Sequence, residues 1–102
     1  MEALSFEFVS PWQSVDSENA TQLARELKLE LSPGHPLYGL EPIPIARSAR
    51  ADDVLFRLPD SRVAAVHLSW RGGPEEPPWP SSRIYANVHE WAQNVMVPES
   101  LE

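Results

Sequence analysis

Asp53, His67 and Ser69 are the residue types of a nucleophilic triad, in which a carboxylate fixes an imidazole and the imidazole takes a proton from a hydroxyl. Two runs carry them, DVLFRL at 53–58 and RVAAVHLSW at 62–70, and the turn formers Pro59-Asp60-Ser61 join the two. Both runs read as strands, and together as a hairpin. A three-residue loop pairs Leu58 with Arg62, which sets Asp53 opposite His67, Leu55 opposite Ala65 and Arg57 opposite Val63. Because side chains alternate, Asp53, His67 and Ser69 then share one face, and Val54, Phe56, Val66 and Leu68 the other. Same-face neighbours on a strand lie about 6.5–7 Å apart, so a His67 rotamer can reach both Asp53 and Ser69. A flat strand, however, has no sharp elbow to expose the serine. Only Gly72 and Gly73 stand near enough to serve as oxyanion donors. The plainer expectation is a cross-strand Asp–His contact worth about 0.2–1 kcal/mol.

Other residues with chemical potential are scattered. His35, His67 and His89, with Asp52 or Asp53, are metal-ligand types, but their spacing matches no compact ligand motif. No metal or other cofactor is expected. The chain has no cysteine, which excludes disulfides and thiolate chemistry and suits a reducing cytoplasm. The segment SPGHPLYG at 32–39 is rich in turn formers and can set His35 and Tyr38 beside a cleft, or can simply steer the chain into the sheet. In VHLSWRGGPEEPPWP, at 66–80, Arg71-Gly72-Gly73 breaks the strand. The prolines after it predict an extended, polyproline-like segment, with Trp79 packing back near Trp70. Docking of that segment on an aromatic groove is the sharper reading, although the flank Glu75-Glu76 is acidic rather than basic.

The remaining elements follow from pattern. LSFEFV, at 4–9, alternates as a short strand that Pro11-Trp12 interrupts. Asp16 or Ser17 caps a helix whose stripe is Ala20, Leu23, Ala24, Leu27 and Leu31, with Glu26, Lys28 and Glu30 largely off it. Ile43 to Arg47 is a short strand that Pro44 pushes to an edge, and Arg83-Ile84-Tyr85 adds a brief one. Asn87 caps a closing helix with Glu90 in the capping-box position, Val88, Trp91, Ala92 and Val95 form its apolar face, and Pro98 ends it. The fold class is a small single-domain α+β protein over residues 1–100. It comprises an N-terminal helix, a three-stranded antiparallel meander with short extra strands, and a C-terminal helix. Both helices are expected on the Val54/Phe56/Val66/Leu68 face. Leu101 and Glu102 read as a cloning-site tail.

The composition bounds the function. With 102 residues there is room for one core. The net charge is −7, carried as −4 over 1–32, +1 over 33–72 and −4 over 73–102. An acidic chain without a basic stripe is poorly suited to nucleic acid and better suited to a basic protein partner. The N-terminal residues lack the positive charge of a secretory signal, and no apolar run reaches the roughly 20 residues of a membrane span. A cytoplasmic location is expected.

The run SPGHPLYG, then DDVLF, then VHLSWRG and PPWP, resembles a group of small uncharacterised bacterial proteins over residues 23–91. That resemblance implies a bacterial, single-domain, stand-alone protein, and it carries no activity and no functional residue.

The leading expectation is a non-enzymatic interaction protein. With both helices on one face, the other leaves an apolar strip bearing Leu55, Arg57, Ala65, His67 and Ser69, with Trp79 at the rim. That strip would take a basic protein, as an inhibitor or immunity protein takes a toxin, or a second copy in a homodimer. The rival is a small-molecule binder or hydrolase using Asp53, His67 and Ser69, with His35 and Tyr38 lining its pocket.

Overall fold

A computed structural model of the chain describes residues 7–101. Its centre is one antiparallel sheet whose five strands lie side by side in sequence order: β1 Trp12–Ser14, β2 Ile43–Ser48, β3 Asp53–Arg57, β4 Val63–His67 and β5 Ser82–Tyr85. The expected meander of three strands is therefore extended at both ends. Of the expected strand at 4–9, residues 4–6 lie outside the described residues and 7–9 are not strand. The first strand forms instead at Trp12, where a break was expected.

The central hairpin keeps the register that its loop length dictates. Asp53 pairs with His67, Leu55 with Ala65 and Arg57 with Val63. Strand β4 is shorter than the alternation suggested. It ends at His67, and Trp70 turns away with a positive φ of 57°. Strand β2 is not an edge, since β1 pairs with its second half, Ala46 to Ser48. Pro44 lies beyond the reach of β1 and beside a bulge in the pairing with β3, so its missing N–H breaks no ladder bond toward β1.

Helix α1, Ser17–Glu30, is capped by Asp16, whose carboxylate accepts from Asn19 N–H at 2.8 Å. It lays Leu23 and Leu27 on Val54, Phe56, Val66 and Leu68, as expected. The C-terminal helix does not join it there. Helix α2, Val88–Trp91, runs through a π-helical turn at Ala92–Met96 into α3, Val97–Ser100. This unit covers the opposite sheet face, packing Trp91, Ala92 and Met96 on Leu55, Val63 and Ala46. Asn87 caps its start by accepting from Glu90 N–H, and Glu90 reaches back to Ala86 N–H, one residue short of the usual capping-box partner.

Pro98 does not end the helix. Val97 N–H bonds five residues back to Ala92, and Pro98 then occupies the first turn of α3, where no N–H is needed. The second core is aromatic at its centre. Trp91 packs edge to face with Trp12 at 4.9 Å and with Phe8 at 5.8 Å. Each such ring pair adds about 0.5–1.5 kcal/mol beyond its buried area. Neither pair involves Trp70 or Trp79.

Candidate functional site

Two places in this fold hold polar side chains that hydrophobic packing does not explain. The first lies on the sheet face covered by α2 and α3. That cover spans Leu55, Val63 and Tyr85 but leaves the other end of the strands open. There His67 Nδ1 and Asp53 Oδ1 are 2.7 Å apart, so the Nδ1–H donates to the carboxylate and Nε2 is left facing outward. The His67 side chain is 59% exposed. The depression beside it holds about 320 Å³ and has Ala65 in its floor.

Its third wall comes from β5. His67 N–H donates to Ser81 O at 2.9 Å, so Ser81 stands directly across from His67, and Arg83 sits opposite Ala65. By strand parity Asp53, His67, Ser81 and Arg83 all face the same way. The hydroxyl beside the imidazole is thus Ser81, not the expected Ser69. Ser69 lies past the end of β4, where its oxygen accepts from Arg71 N–H and its hydroxyl, together with Arg71, holds Glu75 below the usual carboxylate range. The triad Asp53–His67–Ser69 is not assembled.

The second place is the junction of two proline-rich loops, 31–42 and 68–81. Glu30, fully buried at the end of α1, accepts from Ser69 N–H at 3.1 Å and Trp70 N–H at 2.8 Å, one with each oxygen. Glu26, one turn earlier and also buried, accepts from Gly72 N–H at 3.1 Å. Burial, reinforced by the neighbouring Glu26, pushes the Glu30 carboxyl up to about 7. Further along, Ser32 donates to Glu75 O, and Glu75 N–H donates to Glu30 O. His35 completes the tie. Its Nδ1 accepts from Leu37 N–H at 3.0 Å, so Nε2 carries the proton and donates to Pro80 O at 2.9 Å.

These ties correct several expectations. His35 is a buried structural clasp with both nitrogens occupied, not a pocket residue, and it does not meet His67. The proline segment is not extended, because Trp79 N–H closes a turn on Glu76 O. Trp79 does not pack inward and is 56% exposed, with Trp70 at 44% and Tyr38 at 52%. Leu55 lies fully buried beneath Trp91 and is closed to any partner, because α2 and α3 cover the face that was expected to be bare. Arg57 is exposed at the covered end, Ala65 is half-buried and His89 is on α2. Among the described residues no three His, Asp or Glu side chains are placed to hold a metal.

Glu26, Glu30, Ser81 and Arg83 were missed as site residues. The two glutamates had a signal: Leu23, Glu26, Leu27 and Glu30 are spaced i, i+3, i+4, i+7, which puts both carboxylates on the buried face. Ser81 and Arg83 had none, since their placement depends on the register of β5 across a fourteen-residue loop.

No protein-family model matches the chain, and neither the curated proteins nor the solved structures contain a match to it.

Proposed function

We propose that this protein is a non-enzymatic interaction module that grips a basic protein partner with the aromatic side chains of its tied loops. The observation that carries the reading is the contrast within those loops. Three buried polar side chains, Glu26, Glu30 and His35, are spent on fixing their backbone, yet the loops leave Tyr38, Trp70 and Trp79 about half exposed. Trp70 is even held in the left-handed region, which costs an L-residue about 1–2 kcal/mol and is offset by its bond to Glu30. A rigid backbone presenting exposed indoles loses little entropy on binding, and tryptophan and tyrosine are the usual anchors of protein contacts.

The basic character of the partner follows from charge. The chain carries −7, and Trp faces attract guanidinium and ammonium groups. A small acidic inhibitor acting on a basic protein fits this surface. The buried Leu55 removes the sheet face as its location.

Calorimetric titration with a panel of arginine- and lysine-containing peptides tests the reading, with glutamate-containing peptides as controls. Basic peptides are expected to bind and to weaken at least about tenfold in the Trp70→Ala/Trp79→Ala double variant, the scale of losing one aromatic anchor. Equal binding of acidic peptides, or an unaffected double variant, would count against it. Sedimentation of the same two proteins separates a second copy from a different partner, since self-association lost in the double variant would make the partner another copy of this chain.

A further inference from the structure

We infer that the depression beside His67 is a binding site for the phosphate group of a small molecule, held by Arg83, Ser81 and His67. This goes beyond the loop-mediated contact and uses a different part of the molecule.

The sheet brings three polar side chains to one spot from adjacent strands. His67 is tethered on β4 by the 2.7 Å bond from Nδ1 to Asp53, which leaves Nε2 directed away from the carboxylate. Ser81 faces it across the β4–β5 ladder, and Arg83 follows two residues on along the same face. Arg83 forms no ion pair with any of the described residues, in a chain where acidic groups outnumber basic ones fifteen to eight. An unpaired guanidinium in an acidic chain, lining the same depression as a histidine and a serine, is placed for an anion rather than for an internal partner.

The floor allows a ligand to approach. Ala65, between His67 and Val63 on β4, has the smallest side chain that a strand offers short of glycine. The cavity of about 320 Å³ is at the small end of ligand sites. Val66 and Ser82 line it by their backbone, since parity turns their side chains to the other face.

The chemistry selects phosphate over carboxylate. A guanidinium fork, a hydroxyl and an imidazole arriving from two adjacent strands match oxygens spread tetrahedrally, whereas a planar carboxylate offers only two oxygens. Asp53 has a defined part as well. By accepting the Nδ1–H it leaves Nε2 as an acceptor, which the P–O–H of a protonated phosphate can meet and an ionised carboxylate cannot.

The test follows the imidazole resonances of His67, assigned with His67→Ala, while inorganic phosphate is added at constant pH and ionic strength. The expected result is a saturable shift of the His67 ring signals with those of His35 unmoved. Arg83→Ala should raise the half-saturating concentration about tenfold, the factor for one lost charge-assisted hydrogen bond. Arg83→Lys should fall between wild type and Arg83→Ala, and acetate should bind several-fold more weakly than phosphate. Arg83 is exposed, so its variants keep the fold, and an unchanged amide spectrum away from β5 checks this. A non-saturating response, a shift that survives Arg83→Ala, or acetate binding as tightly as phosphate would overturn the assignment.

Discussion

His35 and His67 are the same residue type in opposite conditions. His35 is buried between two loops and gives both ring nitrogens to backbone groups. His67 stands on the sheet surface and gives only one, to Asp53. The region around His35 uses its polar side chains as internal fasteners, and the region around His67 keeps unspent polar groups. A buried polar group must be satisfied internally, whereas an exposed one is satisfied by water and stays available for exchange with a ligand. Spent and unspent polar side chains are thus divided between the two histidine sites of one small domain, and variants can test the division.

The largest effect is expected at Glu30. Replacing it by alanine leaves the N–H groups of Ser69 and Trp70 without their acceptor, which should cost about 3 kcal/mol in urea unfolding. His35→Ala removes two neutral hydrogen bonds from the same junction and should cost about 2 kcal/mol. His67→Ala should change stability by less than about 0.5 kcal/mol, because its contact is exposed and water replaces it. If His67→Ala proved as costly as His35→Ala, the division between fastened and free polar groups would fail.

A finer probe is pH. The Glu30 carboxyl is raised in the fold from the ordinary 4.5 to about 7, so between those values the folded chain holds a proton that the unfolded chain has lost. Stability contributed by this group is therefore fully present below about pH 4.5 and declines as pH rises toward 7. The charged side chain acting on Glu30 is Glu26, on its own helix. Thermal melts across this range should show the decline in the wild type and a shallower one in Glu30→Gln, which cannot titrate. Parallel curves for the two proteins would place the protonation elsewhere.

Much of the fold was legible because it rests on local rules. The 53–67 register follows from a three-residue loop and period-two alternation, and α1 from its cap and stripe. The site was legible only where it shared those rules, so the Asp53–His67 pair was visible and Ser81 and Arg83 were not. The error at Ser69 came from extending an alternation past the point where Glu30 captures the chain. The false apolar patch at Leu55 came from assigning both helices to one face. Nothing in the periodicity of Val88, Trp91, Ala92 and Val95 says which side of a sheet they cover. That choice depends on Trp12 and Phe8, which reach the same face from the far end of the chain.

The indole N–H of Trp12 donates to Glu99 Oε1 at 2.6 Å, and Val9 N–H lies 3.4 Å from the sulfur of Met96. Segments almost ninety positions apart thus close on each other. During synthesis on the ribosome β1 emerges well before its covering helix, so the aromatic layer cannot form until that helix clears the exit tunnel. Until then Trp12 and Leu55 face water, and the nascent chain exposes a sticky surface that the finished protein hides.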